Sequence, residues 1–273
     1  MIVAERLRRI GGLLRSEHVI STKELSERFG VSQMTIRRDL ARLEHMGVCR
    51  LTHGGALAIG SPLVPDLPYQ RRAELFVAEK RAIALCAATL VEDGETIAID
   101  GGTTTRHLAI ALRDRKDITI VTNSLPVLNE LYEAHDLTVI STGGVMSIAS
   151  YEVPGHADPC LVGAVAERTM RCFRPSKAFM ATTSLNLADG LSNALMEQAS
   201  MKLAMIEVSS EVILLADSSK FGQVSASIVG PVSLVNRVIT DTGITPELRH
   251  ALESIGIKVI TVEPGRNESN GPL

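Results

Sequence analysis

The sequence predicts an α/β protein with a mostly parallel sheet, preceded by a small winged helix-turn-helix unit. Three observations lead there. From residue 96 onward, short apolar runs alternate with helical patterns, the pattern of parallel strands joined by crossover helices. Hydrophobic residues make up 45% of the chain but aromatic ones only 3%. The core must therefore be built from Ala, Val, Ile and Leu, as in strands covered on both faces. Residues 1–57 carry ten Lys and Arg against six Asp and Glu, in a chain whose net charge is −3. A basic N-terminal unit thus precedes an acidic body, which directs an anionic partner to the first unit alone. The near absence of aromatic side chains argues against stacking of single-stranded bases.

A length of 273 residues suits one small and one medium domain. The expected boundaries are 1–58 for the helix-turn-helix unit, 59–68 for a linker, 69–264 for the α/β unit and 265–273 for a disordered polar tail. The linker rests on Pro62, Pro65 and Pro68, which cannot sit inside a helix. No uncharged run approaches a membrane span, and arginines crowd the first fifteen residues where a signal peptide would be apolar. The expectation is a cytoplasmic protein, with no membrane partner. Cys49, Cys86, Cys160 and Cys172 form no Cys-x-x-Cys pair and no metal-ligand spacing with His, so free thiols are expected, with no metal and no cofactor.

The first helix, residues 3–15, places Leu7, Ile10 and Leu14 on one face. A second helix covers 22–29, capped by Ser21 or Thr22 and ended by Gly30. A third runs from the Ser32 cap to about His45, with Met34, Ile36, Leu40 and Leu43 expected partly inward. Gly47 stops it, and residues 48–57 read as a hairpin turning at His53-Gly54-Gly55. Two helices joined by a tight glycine-containing turn follow the helix-turn-helix plan, whose second helix meets base edges with its N-terminal residues. Those positions are Ser32, Gln33, Thr35 and Arg37, followed by Arg38. Arg can bond bidentately to guanine, Gln to adenine, and Thr can touch a thymine methyl or a phosphate. Arg50 and His53 on the hairpin are placed to grip the flanking backbone as a wing. The expected partner is a double-stranded DNA operator, and paired half-sites imply a homodimer or homotetramer.

Beyond the linker a helix is expected over 69–90. Strands are expected at 96–100, 118–121, 137–141, 177–182, 212–216, 237–240 and 258–262, and helices at 105–112, 126–134, 158–172, 195–209 and 246–254. Three small polar turns follow successive strands: Asp100-Gly101-Gly102-Thr103-Thr104-Thr105, Thr122-Asn123-Ser124 and Thr142-Gly143-Gly144. In the first, the glycines allow close backbone approach, and the hydroxyls and a helix N-terminus supply donors for a phosphate. Ligands of open α/β sheets bind beyond the carboxyl ends of strands, so the three turns are expected to form one pocket.

The segments VSQMTIRRDLARLE (31–44) and RLTHGGA (50–56) closely resemble the N-terminal signature of the DeoR-type bacterial transcriptional regulators. The resemblance continues in the family's order through EKRAIA (79–84), IDGGTTT (99–105), VTNSLPVLNEL (121–131), STGGVM (141–146) and VILLADSSKFG (212–222). It implies an effector unit similar in fold to ribose-phosphate isomerases and glucosamine-phosphate deaminases, and a small phosphorylated metabolite, a sugar phosphate or relative, as effector. On that reading Thr103, Thr104 and Thr105 hold the phosphate, Asp100, Asn123 and Ser124 meet sugar hydroxyls, and Lys202 and Lys220 add positive charge. It further implies a repressor of carbohydrate genes, associated with the nucleoid through its DNA. One departure is that the family's Gly-x-Asp-Gly turn is replaced here by Ala181-Thr182-Thr183-Ser184. The acidic residue is missing, which leaves Ser184, Asn186 and Asn193 to discriminate among ligands.

The alternative from another class is an isomerase- or deaminase-like enzyme with an accessory DNA-binding unit. Such chemistry needs a placed acid or base. Asp100, Glu152, Asp189 and Glu197 form no evident pair, and His107 and His156 stand alone, so no catalytic residue is assigned. A DNA-packaging protein would explain residues 1–57 but leave the three polar turns without a role.

Overall fold

The computed structural model describes residues 3–17, 19–46, 48–52, 54–58, 68–147 and 158–265. The chain divides into two compact units, residues 1–65 and 66–273. Most of the expected linker and tail, and His53, Glu152 and His156, lie outside the described residues.

The first unit runs α1 (Val3–Glu17), β1 (Val19–Ser21), α2 (Thr22–Phe29), α3 (Gln33–His45), β2 (Cys49–Thr52) and β3 (Gly55–Ala58). Ile10, Leu14, Ile20, Leu25, Ile36, Leu40 and Leu43 close a core between the three helices and a β1-β3-β2 sheet. The turn between α2 and α3 is set by chemistry readable in the chain. Ser21 Oγ caps α2 by accepting from the Glu24 N–H at 3.2 Å, and Gly30 ends it in the left-handed region at φ 61°. Ser32 Oγ then caps α3 by accepting from the Thr35 N–H. Gly55 is required by close approach, since a Cβ there would lie 2.1 Å from the Ile20 carbonyl oxygen.

The second unit begins with α4 (Tyr69–Glu74) and α5 (Val77–Ala88). The single helix expected over 69–90 is thus broken. Phe76 adopts a left-handed φ of 54°, and the Lys80 ammonium donates to the Arg72 and Leu75 carbonyls at the break. The chain continues through β4 (Thr96–Ile99), α6 (Thr103–Leu112), β5 (Ile118–Thr122), α7 (Leu125–Leu131), β6 (Leu137–Ser141), β7 (Val145–Met146), β8 (Leu161–Val162), α8 (Ala164–Arg171), β9 (Lys177–Met180), β10 (Ser184–Asn186) and β11 (Gly190–Asn193). It ends with α9 (Met196–Val208), β12 (Glu211–Leu215), β13 (Ser227–Gly230), β14 (Arg237–Asp241), α10 (Pro246–Ser254) and β15 (Lys258–Val262).

Seven of these strands form a parallel sheet in the order β15-β14-β12-β9-β4-β5-β6. Its two faces carry two apolar clusters, one centred on Ile97, Ile99 and Phe179, the other on Ala98, Met180 and Leu214. Alternation along β4 and β9 sends successive residues to opposite faces, which is why those strands read as continuous apolar runs. The helix expected over 158–172 starts only at Ala164. Leu161 and Val162 instead pair with β7, and the Leu161 N–H donates to the Asn123 carbonyl at 2.7 Å. A three-stranded antiparallel sheet, β10-β11-β13, was not expected from the sequence.

Candidate DNA-reading helix and ligand cleft

In the first unit the phase of α3 is fixed by Ile36, Asp39, Leu40 and Leu43, all buried. Gln33, Met34, Arg37, Arg38, Ala41 and Arg42 form the opposite, exposed face. Met34 was expected partly inward but is 60% exposed. The helical period explains this, because Met34 and Ile36 differ by two residues, or roughly 200° around the axis.

The arginines of this unit separate into two groups. Arg6 is buried against Asp39, with Nε 2.5 Å from Oδ2 and Nη2 3.3 Å from Oδ1. Arg8 and Arg9 pair with Glu5, and Arg28 with Glu17 and Glu24. Among the arginines whose side chains are described here, those without a carboxylate partner are Arg37, Arg38 and Arg42, and all three lie on α3. Of the other expected contacts, Gln33 is exposed, while the Ser32 and Thr35 hydroxyls lie 3.0 Å apart and share the cap. Arg50 pairs through its backbone with Leu57 in the β2–β3 hairpin, and its side chain lies outside the described residues.

In the second unit a cleft opens beyond the carboxyl ends of β4, β9 and β12. Gly101, Gly102, Thr103 and Thr104 line it, together with Lys202 and Lys220. The first turn of α6 meets the cleft with no side-chain cap, whereas Ser124 caps the neighbouring α7 by accepting from the Val127 N–H. The open N–H groups of α6 and its positive end are the features an anion needs. Lys220 is half-buried and makes no ion pair among the described residues.

The remaining expected residues sit elsewhere. Asp100 does not line the cleft. Its carboxylate, pushed up by burial, accepts from the Lys202 ammonium and the Ala181 N–H beneath the turn. Thr105 is fully buried and donates to the Gly102 carbonyl. Asn123 donates to the Leu161 carbonyl, Ser124 caps α7, and Gly143 and Gly144 turn against α8, where a Cβ on Gly144 would lie 2.7 Å from the Val162 oxygen. None of these four lines the cleft, so only the first of the three polar turns does. Ser184 bonds the Ser225 hydroxyl and Asn186 accepts from the Ala188 N–H, leaving Asn193 as the one of that trio at the cleft.

Two lining residues, Arg72 and Asp158, are not singled out by the sequence. Arg72 and Asp158 are 86 positions apart yet form a buried pair, Nη2 to Oδ1 at 2.6 Å. Asp217, Thr182 and Thr183 complete the wall. Asn193 Oδ1 and Asp217 Oδ2 are buried without a hydrogen-bond partner. The Lys80 ammonium is lowered to about 7 by burial, with nearby Asp217 opposing the shift. Among the described residues no group of His, Cys, Asp and Glu is arranged to hold a metal ion, and no helix is long and apolar enough to cross a membrane.

Residues 6–61 match the DeoR-like helix-turn-helix domain and residues 76–242 the DeoR C terminal sensor domain. Among curated relatives, the uncharacterized HTH-type transcriptional regulator YulB of Bacillus subtilis is 36% identical, covering 96% of this chain and 98% of its own. The transcriptional repressor AccR of Agrobacterium fabrum is 35% identical, covering 88% of this chain and 90% of its own. A solved D-ribose-5-phosphate isomerase in complex with phospho-erythronic acid is 17% identical with a TM-score of 0.37 over 52% of each chain, a likeness too low to carry weight. With both of its units matched in order and relatives aligned almost end to end, the chain belongs to the DeoR family of helix-turn-helix transcriptional regulators.

Proposed function

We propose that this regulator is a repressor whose hold on its operator responds to a phosphorylated sugar or related metabolite bound in the Thr103 cleft. The observation that carries the reading is the coexistence of two anion-seeking surfaces in one chain. One is the unpaired guanidinium face of α3. The other is an uncapped helix N-terminus beside the unpaired Lys220. A phosphate seated on the N–H groups of Gly102 to Thr104 would meet Lys220 directly and compete with Asp158 for Arg72. The buried acceptors on Asn193 and Asp217 suit the hydroxyls of a polyol. The relatives named as repressors, AccR among them, support the sign of regulation.

Ligand binding changes DNA affinity only if the two protein states differ in affinity for the ligand. The test is therefore a pair of measurements on the full chain. A thermal-shift screen against aldose and ketose phosphates finds the effector, and operator binding is then titrated with it. Thr104→Val should fold and bind DNA as the wild type does but lose the effector response. An unchanged response would remove this turn from the site. The alternative, an enzyme with an accessory DNA-binding unit, would have to draw on the carboxylates that line the cleft, Asp158, which is paired with Arg72, and Asp217. Turnover of ribose 5-phosphate by the purified chain would support that alternative.

A further inference from the structure

We propose that Met34 is a base-reading residue of α3 and that it selects a thymine, through the C5-methyl group, in each operator half-site. At 100° per residue, the buried face defined by Ile36, Asp39, Leu40 and Leu43 has its centre about 170° from Met34. Met34 is thus the side chain aimed most directly away from the core. Arg37 and Arg38, the unpaired cations, flank it on either side, one turn along. Ala41 lies on the same line a turn further, where its small side chain lets a duplex approach closely.

The chemistry narrows what Met34 can read. Ser32 and Thr35 share a hydroxyl contact at the cap, and Gln33, Arg37 and Arg38 are hydrogen-bonding groups. Met34 offers the groove no useful donor or acceptor, so the polar code of the base edges is invisible to it. The apolar mark on the major-groove floor is the thymine methyl. A flexible thioether chain that is 60% exposed in the free protein gains burial by covering such a methyl. Single exposed apolar residues are ordinary on a protein surface. This one is distinguished by its position, in the first turn of the helix that enters the groove and at the centre of its outward face.

This inference rests on α3 as the reading helix, and the experiment separates the two. The full-length chain selects its preferred duplex from a randomised pool, and each thymine of that duplex is then replaced by uracil, one at a time. Affinities are measured at one fixed salt concentration, because phosphate contacts make them salt-dependent. For the wild type, one replacement per half-site should weaken binding about four-fold, the worth of one buried methyl. For Met34→Ala the same replacement should change nothing, while Met34→Leu should keep part of the discrimination. Thermal melts of the variants should match the wild type, since the side chain is not part of the core. If every uracil replacement affects wild type and Met34→Ala alike, or none affects the wild type, the assignment is overturned. If no sequence is enriched at all, the groove reading falls with it.

Discussion

The Arg6–Asp39 pair offers a quantitative test of how α3, the proposed DNA-reading helix, is held. It joins α1 to α3 inside the core of the first unit, with the two side chains 7% and 3% exposed and both carboxylate oxygens engaged. Removing one member of a buried ion pair leaves the other charged and unpaired, at a cost of about 3–5 kcal/mol. A unit of 65 residues has a total stability of roughly 3–10 kcal/mol at 0.05–0.15 kcal/mol per residue. Asp39→Ala should therefore leave the first unit at or below marginal stability. Calorimetry of the full chain should show its transition lowered by more than about 12 °C, at 4–8 °C per kcal/mol for a domain of this size. The transition of the second unit should not move. Operator binding should fail at temperatures where the wild type binds. Arg6→Met combined with Asp39→Leu should recover most of the loss, because a well-packed apolar pair of similar volume substitutes for a buried ion pair at little cost. A shift below about 4 °C for Asp39→Ala, or a double variant no better than the single one, would refute the account.

Two further outcomes follow from the second unit. His107 is lowered to about 4, by burial first and then by the cations Lys80, Arg106 and Arg81. A depressed histidine is neutral in the fold and takes up its proton first in the unfolded chain, so its contribution is present above pH 6.5 and is lost as pH falls from 6.5 toward 4. His107→Gln should flatten that acid limb of the stability curve, by at most about 3 kcal/mol less the share that water screens, and urea melts across pH 4–7 would show it. Separately, a Cβ on Gly101 would lie 2.0 Å from the Sγ of the buried Cys160. Gly101→Ala should lower the thermal stability of the second unit by about 1–3 kcal/mol, and the added change Cys160→Ala should restore most of it; a Gly101→Ala protein that melts like the wild type would contradict the close contact.

What the sequence revealed and what it withheld divides along a physical line. Local rules were sufficient where one segment decides its own structure. Ser21, Gly30 and Ser32 mark the ends of α2 and α3, and the apolar runs mark the seven sheet strands. They failed where a distant partner decides. At the Phe76 break the Lys80 ammonium bonds the Arg72 and Leu75 carbonyls, contacts that no helical period reports. Residues 161–162 leave the helical pattern because Asn123 and β7 offer backbone partners. The same divide runs through the cleft. The Gly101–Thr104 turn was legible from its residue types, while Arg72 and Asp158 meet only because the fold brings them together. Met34 is a different kind of miss. Its apolar character suggested burial, but the phase set by four other residues overrides it.

The arrangement of charge bears on how the two proposed anion-binding surfaces can belong to one regulator without binding anions indiscriminately. In the cleft, two of the three cations are already neutralised, Lys202 by Asp100 and Arg72 by Asp158, which leaves Lys220 and the α6 N-terminus as the open positive features. A phosphate seated there, on the reading proposed above, gains Arg72 only by displacing a bidentate carboxylate from it. Arg72 lies on α4, and its own carbonyl is held by Lys80, so a change at that guanidinium is felt by the first helix of the unit. The ligand's competition with Asp158 and the signal to α4 are then the same event, which is the differential contact that linkage demands. On α3 no such internal competitor is found among the described residues, where Arg37, Arg38 and Arg42 have no carboxylate partner to release. DNA binding there should be steeply salt-dependent, whereas effector binding should depend far more on the geometry of the displaced pair than on ionic strength.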